Sequence, residues 1–181
     1  MSRALEGIRV VDLSHVLAAP ITTMFLADLG AEVIHVEPPQ GDDAREFGPF
    51  VGDAGKNRSG YFISLNRNKK SMVLDLRKEA GKKILRQLIE VSDVLIENYR
   101  PTTMRKLGFS WEEIQEINPR IIYASISGFG QYSLPGYDRR GRCRDGRQKR
   151  VHEDYRKHLL HIWKQTQGTA RGRVLPRQPA F

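Results

Sequence analysis

The sequence predicts an α/β fold in which a Rossmann-like parallel sheet is flanked by helices. Two observations lead to this prediction: short β-branched apolar runs recur between residues 8 and 126, and segments with helical periodicity and helix-terminal signals separate them. Strands that alternate with helices at these spacings are typical of a parallel sheet with right-handed crossovers. At 181 residues, the chain is long enough for one domain with a hydrophobic core.

The first predicted unit is a strand, a helix and a second strand. Residues 8–13 form a short, β-branched and apolar run, and residues 31–37 alternate as a second strand. Residues 16–29 predict the helix between them, with Pro20 in its first turn and Gly30 just beyond its end. Because apolar residues cover most of its circumference, we expect this helix to be buried.

The rest of the predicted domain follows a long loop. Residues 38–60 carry no periodicity, and a loop of that length inside a compact domain is usually functional or mobile. Three further strands are predicted at residues 71–76, 93–97 and 121–126, with a helix over residues 78–90.

Two short helices are expected between the last two strands. Pro101 opens the first and Gly108 closes it. Residues 110–113 read Ser-Trp-Glu-Glu, which is a capping box, and Phe109 and Ile114 are placed as its hydrophobic staple.

The charge of the chain is concentrated in its last part. Residues 139–181 hold 13 of the 30 Lys and Arg residues but only three of the 21 Asp and Glu residues. The net charge of +9 therefore comes from this segment, and a reading of the whole chain as a basic, nucleic-acid-binding protein is excluded. The strand–helix alternation also stops after Asp138. We expect an α/β domain over residues 1–138 and a basic tail, disordered or loosely helical, over residues 139–181.

Several classes of function are excluded or unsupported. Cys143 is the single cysteine, which excludes an intramolecular disulfide and any cysteine-based zinc cluster. No run approaches the roughly 18 apolar residues of a membrane span. We expect a soluble protein in a reducing compartment, the cytoplasm or, in a eukaryote, the mitochondrial matrix. The pair Gly128 and Gly130 lacks the third glycine of a dinucleotide motif, and no phosphate-binding Walker sequence is present. A Ser–His–Asp site stays open, although no Gly-x-Ser-x-Gly elbow supports one.

Five sequence blocks within residues 3–138 form a recognisable pattern: residues 11–20, residues 30–38 with Gly41, Asp42 and Arg45, residues 66–71, residues 93–98 and residues 123–131. These blocks resemble family III CoA-transferases, the group that contains formyl-CoA transferase, carnitine CoA-transferase and the α-methylacyl-CoA racemases. Because all five occur in the order that the family has, the resemblance is specific.

The resemblance implies a site for coenzyme A or an acyl-CoA as substrate, with a carboxylic acid as the second substrate and no tightly bound cofactor. The coenzyme A contacts that it implies are His15, Leu17, Ala18, Leu74, Arg77, Asn98, Tyr99, Arg100, Lys106, Tyr137 and Asp138. Lys69 and Lys70 are weaker candidates. Tyr137 favours the transferase branch, because the racemase branch carries a histidine there.

The residue types fit such a site, and each also has a plainer interpretation. Leu17 and Ala18 begin a helix, where free N–H groups and the helix dipole favour an anion, but packing at a helix start would look the same. Asn98 follows a strand, beyond whose carboxyl end ligands bind, yet asparagine is also a common turn former. Arg77 and Lys106 could simply be solvated surface charges.

The chain departs from the family where the chemistry is expected. The family nucleophile is an aspartate roughly 30 residues beyond the Tyr137–Asp138 pair, and it attacks the thioester to form an acyl-aspartyl anhydride. In this chain that span is rich in Arg, Gly and Lys. Asp154 lies at about the right distance, but its neighbours do not resemble the family site, so the catalytic residue stays unknown. We therefore expect a truncated or frame-altered form with an incomplete sheet and with little or no turnover.

Two other interpretations stay open. The chain could be a non-catalytic binding module whose basic tail contacts nucleic acid or an acidic surface, although an out-of-frame or alternatively spliced tail is the favoured explanation and nucleic acid is not the expected partner. It could also pair with a full-length homologue. The family forms homodimers, and whether this chain does so is left open.

Overall fold

The computed structural model describes residues 3–52 and 58–127. Within these residues there are five strands: β1 (Arg9–Asp12), β2 (Glu32–Glu37), β3 (Lys70–Val73), β4 (Val94–Glu97) and β5 (Ile122–Ser125). There are also five α-helices: α1 (Ala18–Asp28), α2 (Gly60–Leu65), α3 (Glu79–Glu90), α4 (Thr103–Leu107) and α5 (Trp111–Ile117). A single turn of 3-10 helix spans Asp43–Glu46. The predicted tail and the predicted boundary at Asp138 lie outside the described residues.

The five strands form one parallel sheet with the order β3-β2-β1-β4-β5. Val10 of β1 is in register with Val33 of β2 on one side and with Val94 of β4 on the other. The predicted α/β fold is therefore confirmed. Because the strand order reverses between β1 and β4, the carboxyl ends of these two strands mark the crevice where ligands bind in open parallel sheets.

Two apolar clusters cover the two faces of the sheet. Neighbouring residues of a strand point to opposite faces. Val11 accordingly packs with Leu85 of α3 and Phe109, in the cluster on the side of α3, α4 and α5. Val10 packs with Ala19 and Ala27 of α1 on the other side. Both faces of the central strands are buried, which explains why β1 and β4 are continuous apolar runs rather than alternating ones.

The predicted capping box of α5 is confirmed. The hydroxyl of Ser110 accepts a bond from the backbone N–H of Glu113 at 3.3 Å, and the Glu113 carboxylate accepts one from the N–H of Ser110 at 2.6 Å. Phe109 and Ile114, the predicted staple, are both fully buried. These contacts are local, and this is why the sequence pattern alone predicts them.

The prediction that α1 is buried all round is wrong. Phe25 is 56% exposed and Leu29, at the C-cap, is 50% exposed, while Ala19 and Ala27 are buried. The side of α1 that packs in the cluster with Val10 and Val33 is buried, whereas its exposed apolar residues are left uncovered in the described part of the chain. Apolar composition therefore overestimated the burial of α1.

The loop predicted over residues 38–60 contains more structure than its lack of periodicity suggests. The Asp42 carboxylate accepts a bond from the N–H of Ala44 and starts the 3-10 turn. At the other end, Ser59 caps α2 by accepting a bond from the N–H of Phe62. Single polar caps, rather than an apolar stripe, define these turns, so a search for periodicity misses them.

Substitution of Gly81 by alanine is expected to destabilise the domain. Gly81 lies in α3 against the backbone of Asp75, where an added Cβ would come within 2.2 Å of the carbonyl oxygen. Overpacking of this kind costs about 1–3 kcal/mol and outweighs the gain of about 1 kcal/mol in helix propensity. Urea unfolding followed by circular dichroism measures the effect. The exposed Gln87 of the same helix provides the control Gln87→Ala, and an unchanged or higher stability of Gly81→Ala would contradict the prediction.

Candidate functional site

A cavity of about 510 Å³ opens at the carboxyl edge of the sheet. Segments that follow β1, β2, β3 and β4 form its walls, together with one side of α4. Its lining residues are Leu13, Ser14, His15, Val36, Glu37, Pro38, Pro39, Gln40, Gly41, Asp42, Asp43, Leu74, Asp75, Leu76, Arg77, Tyr99, Thr103 and Leu107. The cavity thus lies at the crevice that the strand order marks, and its size suits a small-molecule ligand.

Four of the residues predicted from the sequence meet in this cavity. His15, Leu74, Arg77 and Tyr99 all line it, although they come from three separate parts of the chain. Leu74 had been predicted inside a strand, but β3 ends at Val73, so Leu74 lies just beyond it. Leu17, Ala18, Asn98, Arg100 and Lys106 do not line the cavity, and Tyr137 and Asp138 lie outside the described residues.

Asn98 shapes the cavity without lining it. Its amide Nδ2 donates to the carbonyl oxygen of His15 at 2.8 Å, and its Oδ1 accepts from the His15 backbone N–H at 2.9 Å. Both backbone groups of His15 are therefore bonded to one side chain. Asn98 fixes the turn between β1 and α1, a contact across 83 residues that the sequence pattern does not show.

The turn before α1 is already partly occupied by a carboxylate of the chain. Leu17 is the N-cap of α1 and Ala18 its first residue, with no side-chain cap and no acidic residue in the first turn. One residue earlier, the N–H of Val16 donates to both oxygens of Asp42 at 3.2 and 3.3 Å. Val16 has a φ of +66°, which a β-branched residue adopts only when its surroundings hold it there.

The outer wall of the cavity is held by an ion pair. Both oxygens of the buried Glu37 accept bonds from the Arg45 guanidinium, each at 2.7 Å. That guanidinium also stacks 3.7 Å above the ring of Phe62. Burial alone would raise the pKa of Glu37, but the bonds from Arg45 and from the Asp42 N–H outweigh it and hold that pKa below its usual range. The segment between β2 and the 3-10 turn is thereby pinned.

Tyr99 and His15 form the inner wall. Their rings lie 5.1 Å apart between centroids. Burial, together with the nearby charge of Glu97, raises the pKa of Tyr99 to about 12, so its phenol is neutral at physiological pH. Two rings, one of them a neutral phenol, therefore stand side by side in this wall.

A buried polar cluster below the cavity was missed by the sequence reasoning. Asp12, the last residue of β1, is fully buried, and its Oδ2 accepts bonds from Thr23 at 2.6 Å and from Lys69 Nζ at 3.1 Å. His35 Nδ1 lies 3.1 Å from the same oxygen, and Ser14 bonds the other. Burial by itself would raise the pKa of Asp12, but His35 and Lys69 outweigh it and lower that pKa to about 2.

The two lysines named as weak ligand candidates have other partners. Lys69 Nζ is almost completely buried, and besides the carboxylate it bonds the carbonyl of Pro20 at 3.0 Å and the amide oxygen of Asn66 at 2.7 Å. Burial lowers the pKa of Lys69 in spite of its acidic partner. Lys70 pairs with Glu32. Neither lysine lines the cavity. The only sequence signal for the buried position of Lys69 was Asp12, an aspartate that ends a buried strand and needs a partner.

The cavity carries more acidic than basic groups. Glu37 is neutralised by its arginine, but Asp42, Asp43 and Asp75 also line it, against Arg77. Two further cations lie next to lining residues: Arg100 follows Tyr99, and Lys106 belongs to α4, which contributes two lining residues. The basic groups are exposed, so an anionic part of a ligand would be met at the opening of the cavity rather than at its base.

Residues 3–52 and 58–127 contain no group of three or more His, Cys, Asp or Glu side chains placed to hold a metal ion. The same part of the chain has no helix long and apolar enough to cross a membrane.

Comparison with known proteins identifies one family. The model of CoA-transferase family III matches residues 5–149. The acetyl-CoA:oxalate CoA-transferase of Acetobacter aceti is 49% identical over 138 residues, which cover 74% of this chain and 34% of that protein. The succinyl-CoA:glutarate CoA-transferase of Homo sapiens is 50% identical over 131 residues, which cover 71% of this chain and 29% of that protein.

A solved structure shows the same fold. The crystal structure of a CAIB/BAIF family protein from Brucella suis matches with a TM-score of 0.70 and 41% identity, over 74% of this chain and 36% of that one. The chain therefore spans about a third of the length of the proteins that it matches.

Acid unfolding is expected to depend on Asp12. Because its pKa is lowered from 3.8 to about 2 in the folded state, Asp12 stabilises the fold above pH 4, and this stabilisation is lost as the pH falls from about 4 to about 2. The shift corresponds to roughly 2 kcal/mol. Asp12→Asn should lower the stability at pH 7, because Lys69 loses its counter-charge, yet lose about 2 kcal/mol less than the unchanged chain between pH 5 and pH 2.

Urea unfolding at a series of pH values measures this difference. Glu116, which is exposed on α5, provides the control Glu116→Gln, and its pH profile should follow that of the unchanged chain. An equally steep acid loss in Asp12→Asn would show that Asp12 is not the group responsible.

Proposed function

Because the chain belongs to CoA-transferase family III, we propose that its cavity binds coenzyme A and that the whole protein moves coenzyme A between an acyl-CoA and a carboxylic acid. The observation that carries this proposal is the gathering of His15, Leu74, Arg77 and Tyr99 around one cavity at the crevice between β1 and β4. The family resemblance of the sequence implies a coenzyme A contact at each of these residues.

The chemistry of the cavity suits the parts of coenzyme A. Leu13, Val36 and Leu74 supply apolar surface for the uncharged arm or the adenine ring. Arg77 lines the opening, and Arg100 and Lys106 stand beside it, which supports a role of these cations with the phosphates. Leu17 and Ala18 form the start of α1, where the helix dipole favours an anion, and we propose that this end of the helix faces an anionic group of coenzyme A. We propose coenzyme A as a substrate and no tightly bound cofactor.

The acceptor is proposed from the relatives. The two transferases compared above are named for oxalate and glutarate, which are both dicarboxylic acids. A dicarboxylic acid is therefore the proposed acceptor class, with a short acyl-CoA as the donor. The proposed location is a reducing compartment, the cytoplasm or the mitochondrial matrix. No observation in the described residues favours nucleic acid as a partner.

For the chain with this sequence, we propose little or no turnover. The family nucleophile is expected in the span after Tyr137 and Asp138, and residues 139–181 there are rich in Arg, Gly and Lys. Of the three acids in that span, Asp154 is the aspartate that lies near the expected distance, and its neighbours do not resemble the family site. We therefore propose that no residue of the span takes the acyl group by the covalent route that splits the exchange into two easier steps. Binding of coenzyme A and transfer are therefore separate predictions.

Substitution of Arg77 by alanine is expected to weaken coenzyme A binding. A charge-assisted contact at an exposed site supports about a five- to tenfold change in affinity, and the change should shrink at high salt because the charges are screened. Isothermal titration calorimetry with coenzyme A at two salt concentrations measures it. Lys83→Ala, which removes an exposed positive charge from α3 outside the cavity lining, is the matched control. Equal weakening in both variants would argue for a general charge effect and against a specific contact.

Transfer is tested directly by mass spectrometry. The chain is incubated with succinyl-CoA and glutarate, and separately with acetyl-CoA and oxalate, and both the thioesters and the intact protein are weighed. We expect coenzyme A to bind, no acyl-enzyme to accumulate and no more exchange than in protein-free controls. Steady exchange of coenzyme A or a trapped acyl-protein would overturn the expectation of little or no turnover.

A further inference from the structure

Glu97 is a buried carboxylate at the carboxyl end of β4. It does not line the cavity, and it is not among the coenzyme A contacts predicted from the sequence. It is 2% exposed. Its Oε2 accepts a bond from the backbone N–H of Tyr99 at 2.6 Å, and its Oε1 accepts one from the Tyr123 hydroxyl at 3.0 Å. β4 lies beside β1 in the sheet, so Glu97 is placed directly behind the crevice where the cavity opens.

The surroundings of Glu97 differ from those of the other two buried carboxylates that end strands. Asp12 contacts Lys69, and Glu37 contacts Arg45. In the part of the chain that the structure describes, no lysine or arginine forms a salt bridge with Glu97. Because no described lysine or arginine pairs with this buried carboxylate, the two hydrogen bonds that it accepts must account for its presence.

The first of these hydrogen bonds fixes the inner wall of the cavity, which is formed by Tyr99 and His15. The bond to the N–H of Tyr99 fixes the backbone two residues beyond Glu97, where the chain leaves the sheet. Between them, Asn98 bonds both backbone groups of His15. The ring of Tyr99 then packs against the ring of His15 at 5.1 Å, and both residues line the cavity.

The second acceptor ties this wall to the neighbouring strand. Tyr123 lies on β5, and its hydroxyl is held by Glu97. The ring of Tyr123 stacks on Trp111 of α5, with centroids 6.0 Å apart and planes at 12°. One carboxylate thus joins the end of β4, the first half of β5 and, through the stack, a helix whose start is fixed by a capping box.

We propose that Glu97 is a positioning residue of the cavity, whose carboxylate holds the Tyr99 backbone so that the Tyr99 and His15 rings form the wall against which the ligand binds. The effect on ligand binding rests on the proposed function, whereas the effect on the two rings does not. Glu97 acts through Tyr99 and makes no contact with the ligand itself.

Two substitutions of Glu97 separate the effect of the acceptor's position from the effect of its charge. In Glu97→Gln, the side-chain carbonyl can still accept from the Tyr99 N–H, and the amide can donate to the Tyr123 oxygen, so the wall is kept. In Glu97→Ala, both acceptors are lost. Asp93→Ala is the matched control, because Asp93 accepts the backbone N–H of Arg9 at 2.9 Å at the opposite end of β4. It removes a bond of the same type away from the cavity.

The first measurement is made without ligand, by NMR on the full chain. Nuclear Overhauser contacts between the Tyr99 and His15 rings should be present in the unchanged chain, in Glu97→Gln and in Asp93→Ala, and absent in Glu97→Ala. The Tyr99 amide proton should move upfield in Glu97→Gln, because a neutral acceptor forms a weaker bond than a carboxylate. A ring contact that persists in Glu97→Ala would overturn the proposal. If Glu97→Ala does not fold, an unmoved Tyr99 amide proton in Glu97→Gln would overturn it instead.

The second measurement is the affinity for coenzyme A by calorimetry. Glu97→Ala should weaken binding about tenfold, Glu97→Gln by no more than about threefold, and Asp93→Ala should match the unchanged chain in affinity while losing stability. Equal weakening in Glu97→Ala and Asp93→Ala would show a general loss of structure and contradict positioning. Failure of the unchanged chain to bind coenzyme A would refute the proposed function alone, since the NMR contacts decide the role of Glu97 without any ligand.

Discussion

The carboxylate of Asp12 is the contact on which the other features of the domain depend. One of its oxygens contacts Thr23 of α1, His35 of β2 and Lys69 of the segment before β3. One buried charge therefore joins the central strand to three separate parts of the chain. Because an isolated charge in this position would be very unfavourable, these segments must come together for the carboxylate to be tolerated. The turn between β1 and α1, where the cavity begins, follows directly from Asp12.

The three buried acids that end strands are satisfied in three different ways. Asp12 shares its charge with a buried lysine, Glu37 with a partly exposed arginine, and Glu97 is satisfied by a backbone N–H and a phenol. All three end parallel strands at the same edge of the sheet. The positions that carry ligand-binding side chains in such folds therefore alternate here with positions that hold the loops in place, and sequence position alone does not separate the two groups.

The alternation of strands and helices along the chain could be predicted from the sequence, but the contacts that join distant segments could not. Strands, α3 and α5 are predictable because apolar runs, stripes and caps are local signals, as at Ser110 and Glu113. Four of the residues named from the family resemblance line one cavity, and they meet there because the strands of a parallel sheet share one carboxyl edge. Lys69 reaches Asp12 across 57 residues, and its burial left no trace in composition or spacing. The predicted burial of α1 was wrong because an apolar composition does not reveal whether a neighbouring element exists to cover the helix.

The left-handed backbone of Val16 has a consequence for the kinetics and thermodynamics of binding. Asp42 holds the Val16 N–H, and Asn98 holds both backbone groups of His15, so the turn is set in the free protein. A ligand that arrives at such a preorganised turn loses little conformational entropy of the protein, because that ordering already took place during folding. Association should therefore resemble docking to a rigid surface, with affinity differences between ligands expressed mainly in how fast they leave.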